Sequence, residues 1–454
     1  MFSERHIQEF IWTRRADWAS LLDVPSMPER RQFQSDLSDV TAEALVLNRF
    51  VTRLEELLHK VQNVELFGIE VPLERSHDAT TRVDFLGSIP GDTAIAIVEL
   101  KRSRQSEREA LTELLGYSQH MGMLFPTLCR EDLLLVLISP MESRVVRDAY
   151  VQSLIFDGKP IVALQPTFIE PRLDSLRLRP WIPDPATVAM IAKAAFCPDN
   201  FDVCKIVWQE SSRMWNCSAD GAVPVHGREN FDRVSALAAQ AMEAEGIHGF
   251  CFTSRMWPEI PFPYPNSLVL VGWNPYSVRA AINASQASVP DRELRYWSDG
   301  FTDLIPGLLP RARDDHQRVD YLADLRAVWS LHLHRVGVKI VNLSTETTES
   351  ASLEIDSGFF SWRQYQTQWL EDVTCHNFQV RPTGLIRELY WDLMKIDYDV
   401  VRRVGIENHP VHDDMYHDMI EALSSQHFLR AFVERLFAEA EDEADDAGDA
   451  EDTA

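Results

Sequence analysis

Between Thr81 and Ser139 the chain has one short strand-like run, breaks at a Pro-Gly turn, and resumes in a second. It then changes to a helical period and ends in the continuous apolar run LLLVLIS. This order constrains the fold more than any other feature of the sequence. Thr81–Ile89 and Thr93–Lys101 read as strands, and Ser88-Ile89-Pro90-Gly91-Asp92 supplies turn residues between them. Ser106–Met121 reads as a helix, and Leu133–Ser139 as a strand covered on both faces. Upstream, Glu4–Leu22 and Thr41–Lys60 are helical, with Ile7, Phe10 and Ile11 on one side of the first and Thr41 able to cap the second. Val64–Leu73 reads as a strand. Downstream, a helix at Glu142–Phe156 leads to a strand at Ile161–Leu164. The order α–β–β–β–α–β–α–β predicts an α/β fold with a mixed sheet and flanking helices.

After Pro166 the sequence is rich in proline up to Pro185, which predicts a seam. Beyond it, Phe201–Trp208, Gly249–Thr253 and Leu268–Gly272 read as strands and Asn230–Glu245 as a helix, a second α/β unit. Helical segments dominate from Asp314, with one strand expected at Val338–Leu343. The expected division is a helical extension (1–40), the mixed-sheet core (41–168), a Pro-rich linker (169–185), a second α/β to helical domain (186–437) and a disordered acidic tail (438–454). That division suits a chain of 454 residues, which is too long for one small domain.

Charge excludes less than it first suggests. The chain has 44 basic and 70 acidic residues, net −26, a poor composition for coating nucleic acid or anionic lipid. Nine acids fall in the tail after Ala438, which leaves −17 elsewhere, and a basic cleft can exist within an acidic surface. No apolar run approaches the ~20 residues of a membrane span, and the start lacks the pattern of a signal peptide, so a cytoplasmic location and no membrane partner are expected. The six cysteines are irregularly spaced and include no CxxC pair, so Cys197, Cys204 and Cys217 read as isolated thiols rather than zinc ligands.

The chemistry concentrates in Arg82-Val83-Asp84-Phe85-Leu86 and Ile95-Ala96-Ile97-Val98-Glu99-Leu100-Lys101. Side chains two apart share a strand face, so Glu99 and Lys101 point the same way. A hairpin would set Asp84 beside Glu99. Two carboxylates and an ammonium inside an apolar sheet are costly unless used, and a divalent cation would relieve the carboxylate repulsion.

Asp…Glu-x-Lys on adjacent strands, followed by a helix, resembles the PD-(D/E)xK nuclease superfamily over roughly Thr41–Leu164. The resemblance implies a restriction-endonuclease-like core. It also implies Asp84 and Glu99 as Mg²⁺ (or Mn²⁺) ligands and Lys101 as the catalytic lysine assisting the attacking water. Glu113-Leu114-Leu115-Gly116-Tyr117 resembles the Q-x-x-x-Y helix signature of RecB-like nucleases, with Glu in place of Gln, which makes Glu113 and Tyr117 accessory candidates. Glu43 could match a further metal-proximal Glu, with Glu55 and Glu56 equally allowed. The leading ERHIQEFIW segment together with RVDFL…VELKR is similar to bacterial anti-phage nucleases of the Shedu type, implying a role in defence or genome maintenance. One of only seven lysines falls where the motif requires one.

Arg102, Arg104 and Arg108 beside the motif are candidate phosphate contacts for DNA, with RNA left open. Residues 186–437 are assigned a substrate, homo-oligomer or regulatory partner role. A competing reading keeps the nuclease-like fold but makes the protein a sensor or non-catalytic scaffold that binds a protein or nucleic-acid partner. His409, His412, Asp413 and His417 allow a metal site sterically, though helix capping explains the aspartates more simply; His332 and His334 read as structural. Trp208, Trp215, Trp257 and Trp273 could stack bases, but an aromatic core suits them better. No Walker A, GxGxxG, HExxH or GxSxG motif occurs.

Overall fold

The Pro-Gly turn forms as its sequence dictates. Pro90 and Gly91 occupy its centre, Gly91 has φ 81°, and Asp92 N–H donates to Ile89 O at 3.0 Å. Only glycine takes that φ without strain, the mark of a type II turn. The turn joins β2 (Arg82–Ser88) to β3 (Ile95–Leu100), antiparallel with Phe85 opposite Val98. The computed structural model describes residues 2–32, 40–72, 82–92, 94–104, 106–196, 200–209, 225–256, 262–276, 315–345, 354–362, 364–365, 368 and 380–404.

These strands belong to a six-stranded mixed sheet in the order β1-β2-β3-β4-β5-β6, where β1 is Glu65–Pro72, β4 Leu133–Ile138, β5 Ile161–Phe168 and β6 Leu176–Pro180. β3, β4 and β5 run parallel, and the other pairings are antiparallel. Five of the six residues of β4 are buried, as its unbroken apolar sequence requires of a strand inside the sheet. Helix α1 is Glu4–Thr13, α2 Ala42–Gln62, α3 Glu107–Leu124 and α4 Arg144–Ile155. The α3 residues Ala110, Leu114, Tyr117 and Met121 repeat at helical spacing and are all buried. Thr41 does cap α2, its hydroxyl accepting the Ala44 N–H at 3.1 Å. Glu107, fully buried, accepts the N–H groups of Glu142 and Ser143 at 3.1 and 2.8 Å, just before α4, where helix N-termini favour a carboxylate.

The chain divides into two compact units, Met1–Arg31 with Val46–Val188, and Gln32–Leu45 with Ala189–Ala454. The Pro-rich segment is therefore not a linker. It supplies β6, the edge strand of the first sheet, and Pro166 pairs with Leu178 beyond Leu164, the last β5 residue in register with β4. Proline is tolerated at a sheet edge, where a ladder donor can be spared. Met1–Arg31 of the extension is likewise part of the first unit: Trp18 Nε1 donates to Val61 O at 2.7 Å, and Leu22 bridges to Leu178.

The second unit carries a wholly antiparallel sheet, β10-β7-β9-β8-β11, with β7 Phe201–Trp208, β8 Gly249–Arg255, β9 Asn266–Trp273, β10 Ile355–Ser361 and β11 Arg381–Thr383. Its helices are α5 (Pro185–Ala195), α6 (Val225–Ala244), α7 (Asp315–Thr345) and α8 (Gly384–Val404). The strand expected at Val338–Leu343 is instead the last part of α7. Val336, Ile340 and Val341 fall on one helix face and enter the core with Ile206 and Leu270. A Cβ on Gly337 would meet Ile206 Cδ1 at 2.2 Å, so the helix lies too close for any side chain there. Packing overrides the strand propensity of the β-branched run. Trp208 stacks on Phe231 within the core, and the half-buried Trp273 stacks on Phe201. Trp215, Trp257, Cys197, Cys217, His409, His412, Asp413, His417 and the acidic tail lie outside the described residues. No helix among the described residues is long and apolar enough to cross a membrane.

Candidate functional site

The β2–β3 register, continued one step beyond Phe85 and Val98, sets Asp84 opposite Glu99 on the same face. Glu99 is the penultimate residue of β3 and only 2% exposed. Lys101 follows the strand, its N–H bonding Ile138 O at 2.8 Å and so extending the β3–β4 ladder. The group thus sits at the carboxyl end of parallel strands, where α/β sheets open toward ligands.

Lys101 Nζ lies 2.7 Å from Glu99 Oε1 and 2.8 Å from Glu113 Oε2. The second contact is an ion pair without hydrogen-bond alignment, because Glu113 Oε2 has no well-directed donor. Asp84 is held from two sides: Gln8 Nε2 donates to Oδ1 at 2.9 Å and Leu100 N–H to Oδ2 at 2.8 Å. Tyr117, one helical turn after Glu113, donates its hydroxyl to Arg82 O at 3.0 Å, tying α3 to the start of β2. Glu99 Oε2 is buried and receives no donor from the described residues.

The electrostatics follow from this crowding. Burial pushes the Glu99 carboxyl up to about 9, reinforced by the charge of Asp84 and a hydrogen bond shared with Glu113, and opposed by Lys101. Burial also raises Asp84 to about 6, against the Leu100 N–H and Lys101, with Glu4 and Glu113 adding to the rise. Lys101 loses some basicity to burial, but its contacts with Glu113 and Glu99 more than restore it, and its net shift is upward. Glu113 moves downward: burial opposes ionisation, but the neighbouring Lys101 ammonium and Glu99 outweigh it. Tyr117 is raised by burial and by the charges of Glu99 and Glu113. Burial therefore favours the neutral form of Glu99 beside a charged Lys101.

Asp84, Glu99, Lys101, Glu113 and Tyr117 form one group. Glu43 lies in the first turn of α2, in the segment that clusters with the second unit. Of its alternatives, Glu55 pairs with Arg30 and Glu56 is exposed. Arg102 is half-buried and Arg104 exposed in the loop leaving the site; the Arg108 side chain lies outside the described residues. Sequence reasoning missed Gln8 and Glu4. Glu4 Oε2 accepts the Arg102 N–H at 3.2 Å, and Gln8 reaches Asp84 from the buried face of α1. The available signal was a glutamine between Ile7 and Ile11 on an apolar stripe, a position where a polar side chain needs a partner.

Among the described residues no group of three or more His, Cys, Asp or Glu is gathered to hold a metal ion. The pair Asp84–Glu99 nonetheless fits a small hard dication, which takes one or two carboxylates and completes its shell with water and phosphate oxygens. The donor-free Glu99 Oε2 is the observation that carries this fit. No family model, curated protein or solved structure matches the chain.

Proposed function

We propose that the first unit is a Mg²⁺- or Mn²⁺-dependent nuclease of the PD-(D/E)xK type, with a restriction-endonuclease-like core, hydrolysing phosphodiester bonds of DNA. The observation that supports it is the buried Asp84–Glu99–Lys101 cluster at the carboxyl end of β3, with one carboxylate oxygen left without a donor. Asp84 and Glu99 would hold the cation, which lowers the pKa of a bound water and offsets charge on the phosphodiester. Lys101, kept protonated by Glu99 and Glu113, acts as a donor and fixed positive charge: it orients the attacking water and the phosphate oxygen rather than abstracting a proton. Glu113 holds Lys101 in place, and Tyr117 anchors the helix that carries Glu113. Arg102 and Arg104 neutralise phosphates flanking the scissile bond. A cytoplasmic role in bacterial defence or genome maintenance goes with the Shedu-type resemblance.

The test is cleavage of linear, supercoiled and single-stranded DNA. Wild type should cleave with Mg²⁺ or Mn²⁺ and stop on adding EDTA; Asp84→Asn and Glu99→Gln should not cleave. Equal cleavage by these variants would refute the assignment. One observation favours a second reading, a non-catalytic module that binds a protein or nucleic-acid partner: among the described residues no group of three or more metal-ligating side chains is gathered at the pair. Binding of DNA by wild type and Glu99→Gln alike, with no metal requirement and no cleavage, would support that reading.

A further inference from the structure

We propose that Gln8 is a positioning residue for Asp84, so that α1 completes the site from outside the β2–β3 hairpin. This inference rests on the reading of Asp84 as a metal ligand. Helix α1 is fixed at its start by Ser3, whose hydroxyl accepts the His6 N–H at 3.2 Å, and it buries Ile7, Gln8 and Ile11 on one face. Gln8 is 6% exposed, so its amide has no ready access to water and must find a protein partner. It finds Asp84 Oδ1 at 2.9 Å. The other oxygen, Oδ2, accepts the Leu100 N–H at 2.8 Å. Two donors from two separate elements therefore fix the plane of this carboxylate, and Gln8 is the one side-chain donor to it among the described residues. One turn earlier, Glu4 accepts the N–H of Arg102, the residue after Lys101, so the same helix also ties the segment that leaves β3.

The physical consequence is directional. An Asp side chain turns freely about χ2 unless hydrogen bonds hold it, and the ammonium of Lys101 is a competing attraction in this cluster. With Gln8 in place, Oδ1 keeps a lone pair for a cation while its carboxylate stays facing Glu99. Without it, Asp84 can turn toward Lys101, and the pair is no longer preset for metal. Partners that orient a metal ligand typically contribute about 10–100-fold in affinity.

The experiment uses the full chain and two substitutions that keep the length of the side chain. Gln8→Met removes the donor but preserves volume; Gln8→Glu replaces the donor with an acceptor facing Asp84. Free Mn²⁺ is counted by electron paramagnetic resonance during titration, with thermal unfolding as the check on folding. The expected result is Mn²⁺ affinity lower by about 10-fold in Gln8→Met and by more in Gln8→Glu. In cleavage assays kcat should fall while KM for DNA holds. A residue that only packs would leave Gln8→Met like wild type in both readouts, and that result overturns the inference while leaving the metal assignment standing. Absence of Mn²⁺ binding by wild type itself overturns both. If Gln8→Met fails to fold, the isosteric Gln8→Glu decides on the same two readouts.

Discussion

Glu99 in the first unit and Asp202 in the second are both buried strand carboxylates, 2% and 6% exposed, but their surroundings differ. Asp202 Oδ2 accepts from Asn274 Nδ2 and from Ser330 Oγ, each at 2.6 Å, two neutral donors from its own unit. Glu99 faces a second carboxylate, Asp84, and a lysine that reaches just one of its oxygens, with the carboxylate of Glu113 on that lysine's other side. Donors arranged around a buried charge bind a fold together; an arrangement left incomplete costs stability and is retained where something external completes it. On the proposed reading, the first unit's cluster serves chemistry, whereas Asp202 serves structure.

The sharpest way to break this contrast is to neutralise each group. Glu99→Gln should lower cleavage by about 10³-fold while making the folded protein at pH 7 no less stable than wild type, because the wild-type Glu99 must take up a proton to fold there. Asp202→Ala should do the reverse, costing about 2–3 kcal/mol through the stranded donors of Asn274 and Ser330 and leaving the turnover of folded protein unchanged. Chemical denaturation alongside cleavage reads both. Loss of stability in Glu99→Gln with activity intact would reverse the two roles.

A smaller effect lies in pH. A carboxyl whose pKa is higher in the fold than in the unfolded chain binds more protons when folded, so stability falls as pH rises through the interval. For Asp84 that interval runs from 3.8 to about 6, and for Glu99 from 4.5 to about 9. In EDTA, the melting temperature of wild type should therefore fall with pH across this range more steeply than that of Glu99→Gln, the difference being clearest above about pH 6. Parallel curves would show that Glu99 titrates normally and that its environment is not strained. The smallest expected change is in DNA binding: Arg102→Ala and Arg104→Ala should each flatten the salt dependence by about one phosphate contact.

The two units also differ in how far the sequence disclosed them. Phe201–Trp208 is legible to its ends because its β-branched and aromatic composition and its length agree. The β2–β3 hairpin was legible for the same reason, helped by Pro90 and Gly91. Val338–Leu343 misled because β-branched residues carry strand propensity, whereas the contact of Gly337 with Ile206 that selects the helix is a tertiary fact. Pro166–Pro185 misled because proline marks breaks locally without stating that an edge strand tolerates it. Asp84, Glu99 and Lys101 could be grouped from strand period and register alone, and Glu113 and Tyr117 from helical spacing. Gln8 could not, since 76 residues separate it from Asp84 and no local pattern links them.

The central claim, that this buried charge serves phosphodiester hydrolysis, is tested most directly at Lys101. Single-turnover cleavage of end-labelled DNA in Mg²⁺ should be about 10³-fold slower in Lys101→Met than in wild type, with DNA binding retained. Equal cleavage rates for the two proteins would contradict the account.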